Sequence, residues 1–114
     1  MPGQIQRTRG KAAYRRAADA AGKKPANTVA PAITGTATEG ETLTVSNGTW
    51  TNTPDTYARQ WRRAGVPIAG AASNTYEPTA DDVGSTITAT VTATNEGVST
   101  SATSAPTAEV GAAE

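Results

Sequence analysis

From Thr86 to Thr94 every second residue is a threonine, and Ile87, Ala89, Val91 and Ala93 stand between them. A period of two is the pattern of a β-strand with one apolar face and one polar face. A helix cannot use it, because 3.6 residues per turn would scatter the apolar side chains around the axis. The β-branched threonines add a strand preference of their own. One such strand cannot stand alone. It needs neighbours for its backbone and a second apolar face to complete a core.

The same period recurs upstream. Ile33, Gly35 and Ala37 alternate with threonines, and Leu43 and Val45 alternate with Thr42, Thr44 and Ser46. Turn signals separate the runs: Glu39-Gly40, Asn47-Gly48, Thr53-Pro54-Asp55, Ala64-Gly65, Asp82-Val83-Gly84 and Glu96-Gly97. Strands are expected over about 32–38, 41–47, 56–63, 66–69, 74–78, 85–95 and 98–109. With no helical pattern between them, these runs predict an all-β sandwich of about seven strands.

The beginning of the chain is different in kind. Residues 1–24 are basic and rich in alanine. Gly10 to Ala21 could turn as a short helix, with Thr8 as cap and Gly22 as stop. Tyr14 is its only large side chain, so such a helix is weak alone. The segment is expected to be a basic arm, extended or partly helical. "PANTVAP", residues 25–31, reads as an extended linker between two prolines. The expected division is arm and linker over 1–30, sandwich over 31–110 and a loose tail over 111–114.

Charge follows the same division. Residues 1–30 carry Arg7, Arg9, Lys11, Arg15, Arg16, Lys23 and Lys24 against Asp19, a net of +6. The rest carries Arg59, Arg62 and Arg63 against nine carboxylates, a net of −6. The formal total of zero therefore hides a cationic arm on an acidic body.

There is no cysteine and no histidine. Disulfides, cysteine nucleophiles, Ser-His triads and imidazole chemistry are thereby excluded, and no zinc site is expected. No apolar stretch follows the basic start, so neither a secretory signal nor a membrane span is expected. The chain is expected to be non-enzymatic, without cofactor or metal, and made in the cytoplasm.

The run "QWRRAGVPIAGAASNTYEPTADDVGSTITATVTATNEG" resembles the immunoglobulin-like domains of bacterial surface proteins and bacteriophage virions. The matching residues are Gln60-Trp61, Gly65, Ile68, Gly70-Ala71, Tyr76, Asp82 and Gly84, followed by the alternating strand to Asn95. Upstream, "PAITGTATEGETLTVSNGTW" matches through Ile33, Gly35, Gly40, Leu43, Gly48 and Trp50. The resemblance covers residues 31–109. It implies an immunoglobulin-like sandwich with Trp61 in its core and Asp82 in a corner turn before the penultimate strand. Two departures stand out. Arg59 occupies a position where the family often has an aromatic residue. Leu43 and Ala89 lie near the positions of the paired cysteines of antibody domains. The arm has no counterpart in that family.

Each remaining candidate has a structural reading beside a functional one. Trp50 either closes the end of the sandwich or faces outward, and with Arg62 and Arg63 it forms a candidate outer contact surface. Asp81 and Asp82, with Glu77 nearby, have no calcium-loop spacing and read as turn residues. Asn47-Gly48-Thr49 matches a glycosylation sequon and equally reads as a hairpin turn. The arm residues Arg7, Arg9, Lys11, Tyr14, Arg15, Arg16, Lys23 and Lys24 would suit an acidic protein surface. Nucleic acid is disfavoured because Tyr14 is the arm's only stacking side chain. Lipid is disfavoured because the arm lacks a bulky apolar face.

Together these features lead to an expectation of a phage virion protein, most simply a capsid decoration protein on the outer capsid surface. Its arm would lie on the major capsid protein. The outer domain could self-associate around a capsid symmetry axis or touch host surface glycans. A bacterial adhesion or carbohydrate-binding module, and a nucleic-acid-binding protein acting through its arm, are the alternatives.

Overall fold

In the computed structural model, residues 24–113 are described. The basic segment before Lys24 lies outside them. The chain forms β1 (Asn27–Val29), β2 (Ile33–Thr34), β3 (Leu43–Val45), β4 (Thr49–Trp50) and β5 (Thr56–Arg63). It continues with β6 (Val66–Pro67), β7 (Thr75–Tyr76), a 3-10 turn at Ala80–Asp82, β8 (Ile87–Asn95) and β9 (Val98–Thr103).

All pairings between these strands are antiparallel. One sheet has the order β6-β5-β8-β9, a second β2-β3-β7, and a small third joins β1 to β4. The alternating run is strand β8, and its apolar residues are all buried while its threonines are half-exposed. Leu43 and Val45 of β3 and Trp61 of β5 share its core, which Trp50 and Val110 complete. This all-β architecture is compatible with a sandwich.

Sequence and packing meet at Trp61. Its register partner on β8 is Ala89. A small residue there leaves room for the indole to reach across to the second sheet. The ring stacks on Tyr76 of β7 at 5.5 Å between centroids. Its Nε1 donates to the Ser73 carbonyl at 2.7 Å, so the polar atom of a fully buried side chain is satisfied. Burying such a side chain is worth roughly 4–5 kcal/mol.

The outer face of the large sheet is satisfied by hydroxyl pairs. Thr90 meets Thr103 at 3.0 Å, Thr92 meets Ser101 at 2.7 Å and Thr94 meets Ser99 at 2.7 Å. The hairpins beside this face use the two-residue turns that their sequences announce. Ala64 and Gly65 have φ of 49° and 84°, and Glu96 and Gly97 have 51° and 82°. Two successive positive values suit the right-handed twist of the flanking strands.

The structure corrects four expectations. The supposed linker is part of the body, because β1 pairs with β4 and both Pro25 and Pro31 are fully buried. The last strand ends at Thr103, since Pro106 cannot donate to a ladder. The tail is anchored at Gly111, whose N–H donates to Ala37 O and whose carbonyl accepts from Glu39 N. Asn47-Gly48 is not a hairpin turn, because β3 and β4 belong to different sheets.

That last connection depends on glycine. Gly48 has a φ of 76°, and a Cβ built there would lie 2.3 Å from Val29 O. Gly65 has a φ of 84° with open space around it. Gly65→Ala should therefore cost about 1 kcal/mol from backbone conformation alone. Gly48→Ala should cost about 2–4 kcal/mol, because the β1 backbone must also move. Urea unfolding of the two variants measures the difference, and equal costs would contradict the close approach.

Candidate functional site

Among the expected arm residues, Arg7, Arg9, Lys11, Tyr14, Arg15, Arg16 and Lys23 lie outside the described residues. Lys24 is exposed at the entry to the body. Its carbonyl accepts from Asn52 Nδ2 at 3.0 Å. Ala26 N donates to Thr51 Oγ1, and Thr51 N donates to Ala26 O. Asn95 Nδ2 in turn donates to Asn52 O at 2.6 Å. The chain therefore enters beside the β4–β5 connection and the β8–β9 turn.

The candidate outer trio does not converge. Trp50 is a core residue, 9% exposed, with its Nε1 donating to Asn47 O at 2.6 Å. Pairing of β4 with β1 holds it there, so it is no outward platform. Arg62 and Arg63 are successive strand residues and point to opposite faces. Arg62 Nε donates to Thr90 Oγ1 at 3.1 Å on the outer face. Arg63 turns the other way and pairs with Asp82.

Asp82 ties several elements of the body together. Its side chain is fully buried. Oδ1 accepts from Arg63 Nε at 2.5 Å. Oδ2 accepts from Tyr76 hydroxyl at 2.5 Å and from Thr79 N at 2.9 Å. Thr79 caps the short turn reciprocally by accepting from Asp81 N at 3.3 Å. Both carboxylate oxygens are thus engaged in holding β5, β7 and the turn before β8 together. Asp81 and Glu77 remain exposed, and the three do not share a site. Burial by itself would raise the Asp82 pKa, but the bonds from Tyr76, Thr79 and Arg63 outweigh it and lower the pKa below the usual carboxylate value. Burial, together with the bond to Asp82, pushes Tyr76 up from 10.0 to about 12.

Arg59 lies on the Trp61 face of β5 and turns its guanidinium toward the loop between β3 and β4. Nη2 donates to Asn47 Oδ1 at 2.9 Å. Its Nε is buried without a hydrogen-bond partner among the described residues.

The arrangement that sequence reading missed is the distribution of carboxylates. Glu39 and Glu41 lie between β2 and β3, Glu77 and Asp81 between β7 and β8, and Glu109 after β9. Those segments are tied to one another: Glu39 N donates to Gly111 O, Gly40 N to Pro78 O, and Val110 N to Ser85 O. All five acids therefore gather at one end of the body. Asp55 and Glu96 lie at the other end, where the chain enters. Strand direction was the available signal, since successive strands alternate between the two ends.

No protein-family model matches the chain, and no curated protein matches it.

The Asp82 cluster sets the pH range of stability. A lowered folded-state pKa gives stabilisation that is complete above the ordinary carboxylate range and is lost as pH falls through the folded value. The raised Tyr76 value gives stabilisation that is present below 10.0 and is lost as pH rises toward about 12. Asp82→Asn should lower neutral stability by about 2–4 kcal/mol and flatten the acid limb of the stability profile. Tyr76→Phe should flatten the alkaline limb. Urea melts across the pH range test both, and an unchanged acid slope in the Asn variant would assign acid lability to other carboxylates.

Proposed function

We propose that the chain is a non-enzymatic structural protein of a bacteriophage virion, which decorates the capsid through its basic arm and displays an immunoglobulin-like sandwich outward. The observation that carries this reading is the polarity of charge. A segment of net +6 enters the body at one end, and five carboxylates gather at the other. A body held by its arm on an acidic shell would turn its own acidic end away from that shell. Like charge would then keep the exposed end from folding back onto the capsid.

The immunoglobulin-like part of the reading is supported by two residues. Trp61 is buried in the central strand, and Asp82 closes the turn ahead of β8, where the sequence resemblance puts them. Anchoring fits the energetics of the arm. A single exposed ion pair contributes about 0.2–1 kcal/mol, so a cationic segment gains a firm hold only by making several contacts at once. On a symmetric shell many copies would act together. The outer surface could then contact neighbouring copies or host surface glycans with weak single-site affinity and high total avidity.

The test is co-sedimentation with purified capsids of the phage that encodes the protein. Deleting residues 1–23 keeps β1 and the buried Pro25. This deletion should abolish binding without changing the circular dichroism of the body. Charge reversal at Arg7, Arg9, Arg15 and Arg16 in the full chain should do the same. Binding by the full chain should fall steeply with salt. Full binding by the truncated protein would refute the anchoring role. Binding to DNA but not to capsids would transfer the arm to nucleic acid.

A further inference from the structure

Asn47 is the chain's only asparagine followed by glycine. Its side chain meets an arginine that has no carboxylate partner among the described residues. An arginine can only donate, so the atom facing Arg59 Nη2 at 2.9 Å is the amide oxygen, Oδ1. The amide nitrogen, Nδ2, makes no hydrogen bond among the described residues, and neither does the N–H of Gly48. Both residues are half-exposed, so water reaches them.

These groups are the parts of an amide-to-acid conversion. We propose that Asn47 is a self-modifying position, converting to aspartate in the folded protein and so giving Arg59 the carboxylate it lacks. The Gly48 nitrogen loses its proton to solvent base and attacks Asn47 Cγ, forming a C–N bond. The negative charge develops on Oδ1, where the Arg59 guanidinium already donates. The bond from Cγ to Nδ2 breaks, and Nδ2 takes a proton from solvent and leaves as ammonia. Water then adds at Cγ of the cyclic imide, the bond from Cγ to the Gly48 nitrogen breaks, and that nitrogen regains its proton. The net change is asparagine and water to aspartic acid and ammonia, with no change in oxidation state.

The surroundings select the product. Opening the imide at the main-chain carbonyl would insert an extra carbon into the backbone. That backbone is held by Trp50 Nε1 on Asn47 O at 2.6 Å and by the close approach of Gly48 to Val29 O. Opening at Cγ keeps both contacts and places a carboxylate on Arg59. The new bond is charge-assisted and stronger than the neutral one it replaces.

The test follows the full chain in mildly alkaline buffer at physiological temperature, by ion exchange, intact mass and peptide mapping. The folded protein should gain one negative charge at Asn47 alone, as aspartate rather than isoaspartate. Asn27, Asn52, Asn74 and Asn95 serve as internal controls. Arg59→Gln should slow the conversion about tenfold, and Arg59→Lys, which keeps a cation, should slow it less. Asn47→Asp should melt a few degrees higher than freshly made protein. Conversion at an undiminished rate in a folded Arg59→Gln variant would overturn the proposal. So would isoaspartate as the main product, or a lower melting point for Asn47→Asp.

Discussion

The body depends on one indole spanning two sheets. Trp61 is the largest fully buried side chain, and the residue opposite it on β8 is the small Ala89. Without cysteine there is no cross-link between sheets, and Leu43 and Ala89 are fully buried by packing alone. The ring therefore has to supply apolar area and a polar anchor at once. It does so by stacking on Tyr76 and donating to Ser73 O. Ala89 follows from this, because a bulkier side chain opposite Trp61 would take the space that the indole fills.

Tyr76 links this apolar contact to the polar one. Its ring faces Trp61 and its hydroxyl reaches Asp82, which also holds Arg63 and the Thr79 turn. A buried carboxylate with fewer donors would destabilise the fold. With three, it fixes where β7 ends and where the approach to β8 begins. The hydroxyl ladder on the opposite face is cheaper, since exposed threonines and serines have water as an alternative partner. The interior is specified by a few exacting contacts and the outer face by many undemanding ones.

Much of this was legible in the sequence. Period two gave β8 and β3, the strand expected over 56–63 is β5, and Ala-Gly and Glu-Gly gave the two tight hairpins. Trp61 and Asp82 have the structural roles expected of them. The legible features share a local cause, either side-chain alternation or backbone dihedrals at a turn. What could not be read was non-local. β1 pairs with β4 across a loop of unrelated sequence, and two prolines suggest a linker unless that partner is known. Trp50 looked available because nothing in its neighbourhood announces the strand that covers it. Arg63 looked available because its partner lies nineteen residues away. The acidic end was hidden for the same reason, since its carboxylates come from two connections and the segment after β9.

The polar inventory of the body bears on how its function should be sought. Its arginines are held by Asn47, Thr90 and Asp82, and its largest aromatics are turned inward. These side chains are engaged in building the fold, so a ligand recruiting them would have to break structural contacts first. Among the described residues, the side chains of Glu39, Glu41, Glu77 and Glu109 at the acidic end take no part in these contacts, and residues 1–24 carry the opposite charge. They are also the parts of the chain whose charge is least balanced locally. Long-range electrostatics acts on such imbalance before any close contact forms, and it orients a polar body as well as attracting it. A small domain with spent side chains and separated charge is therefore suited to being held in a fixed direction on another surface, which is the physical basis of the decoration role proposed here.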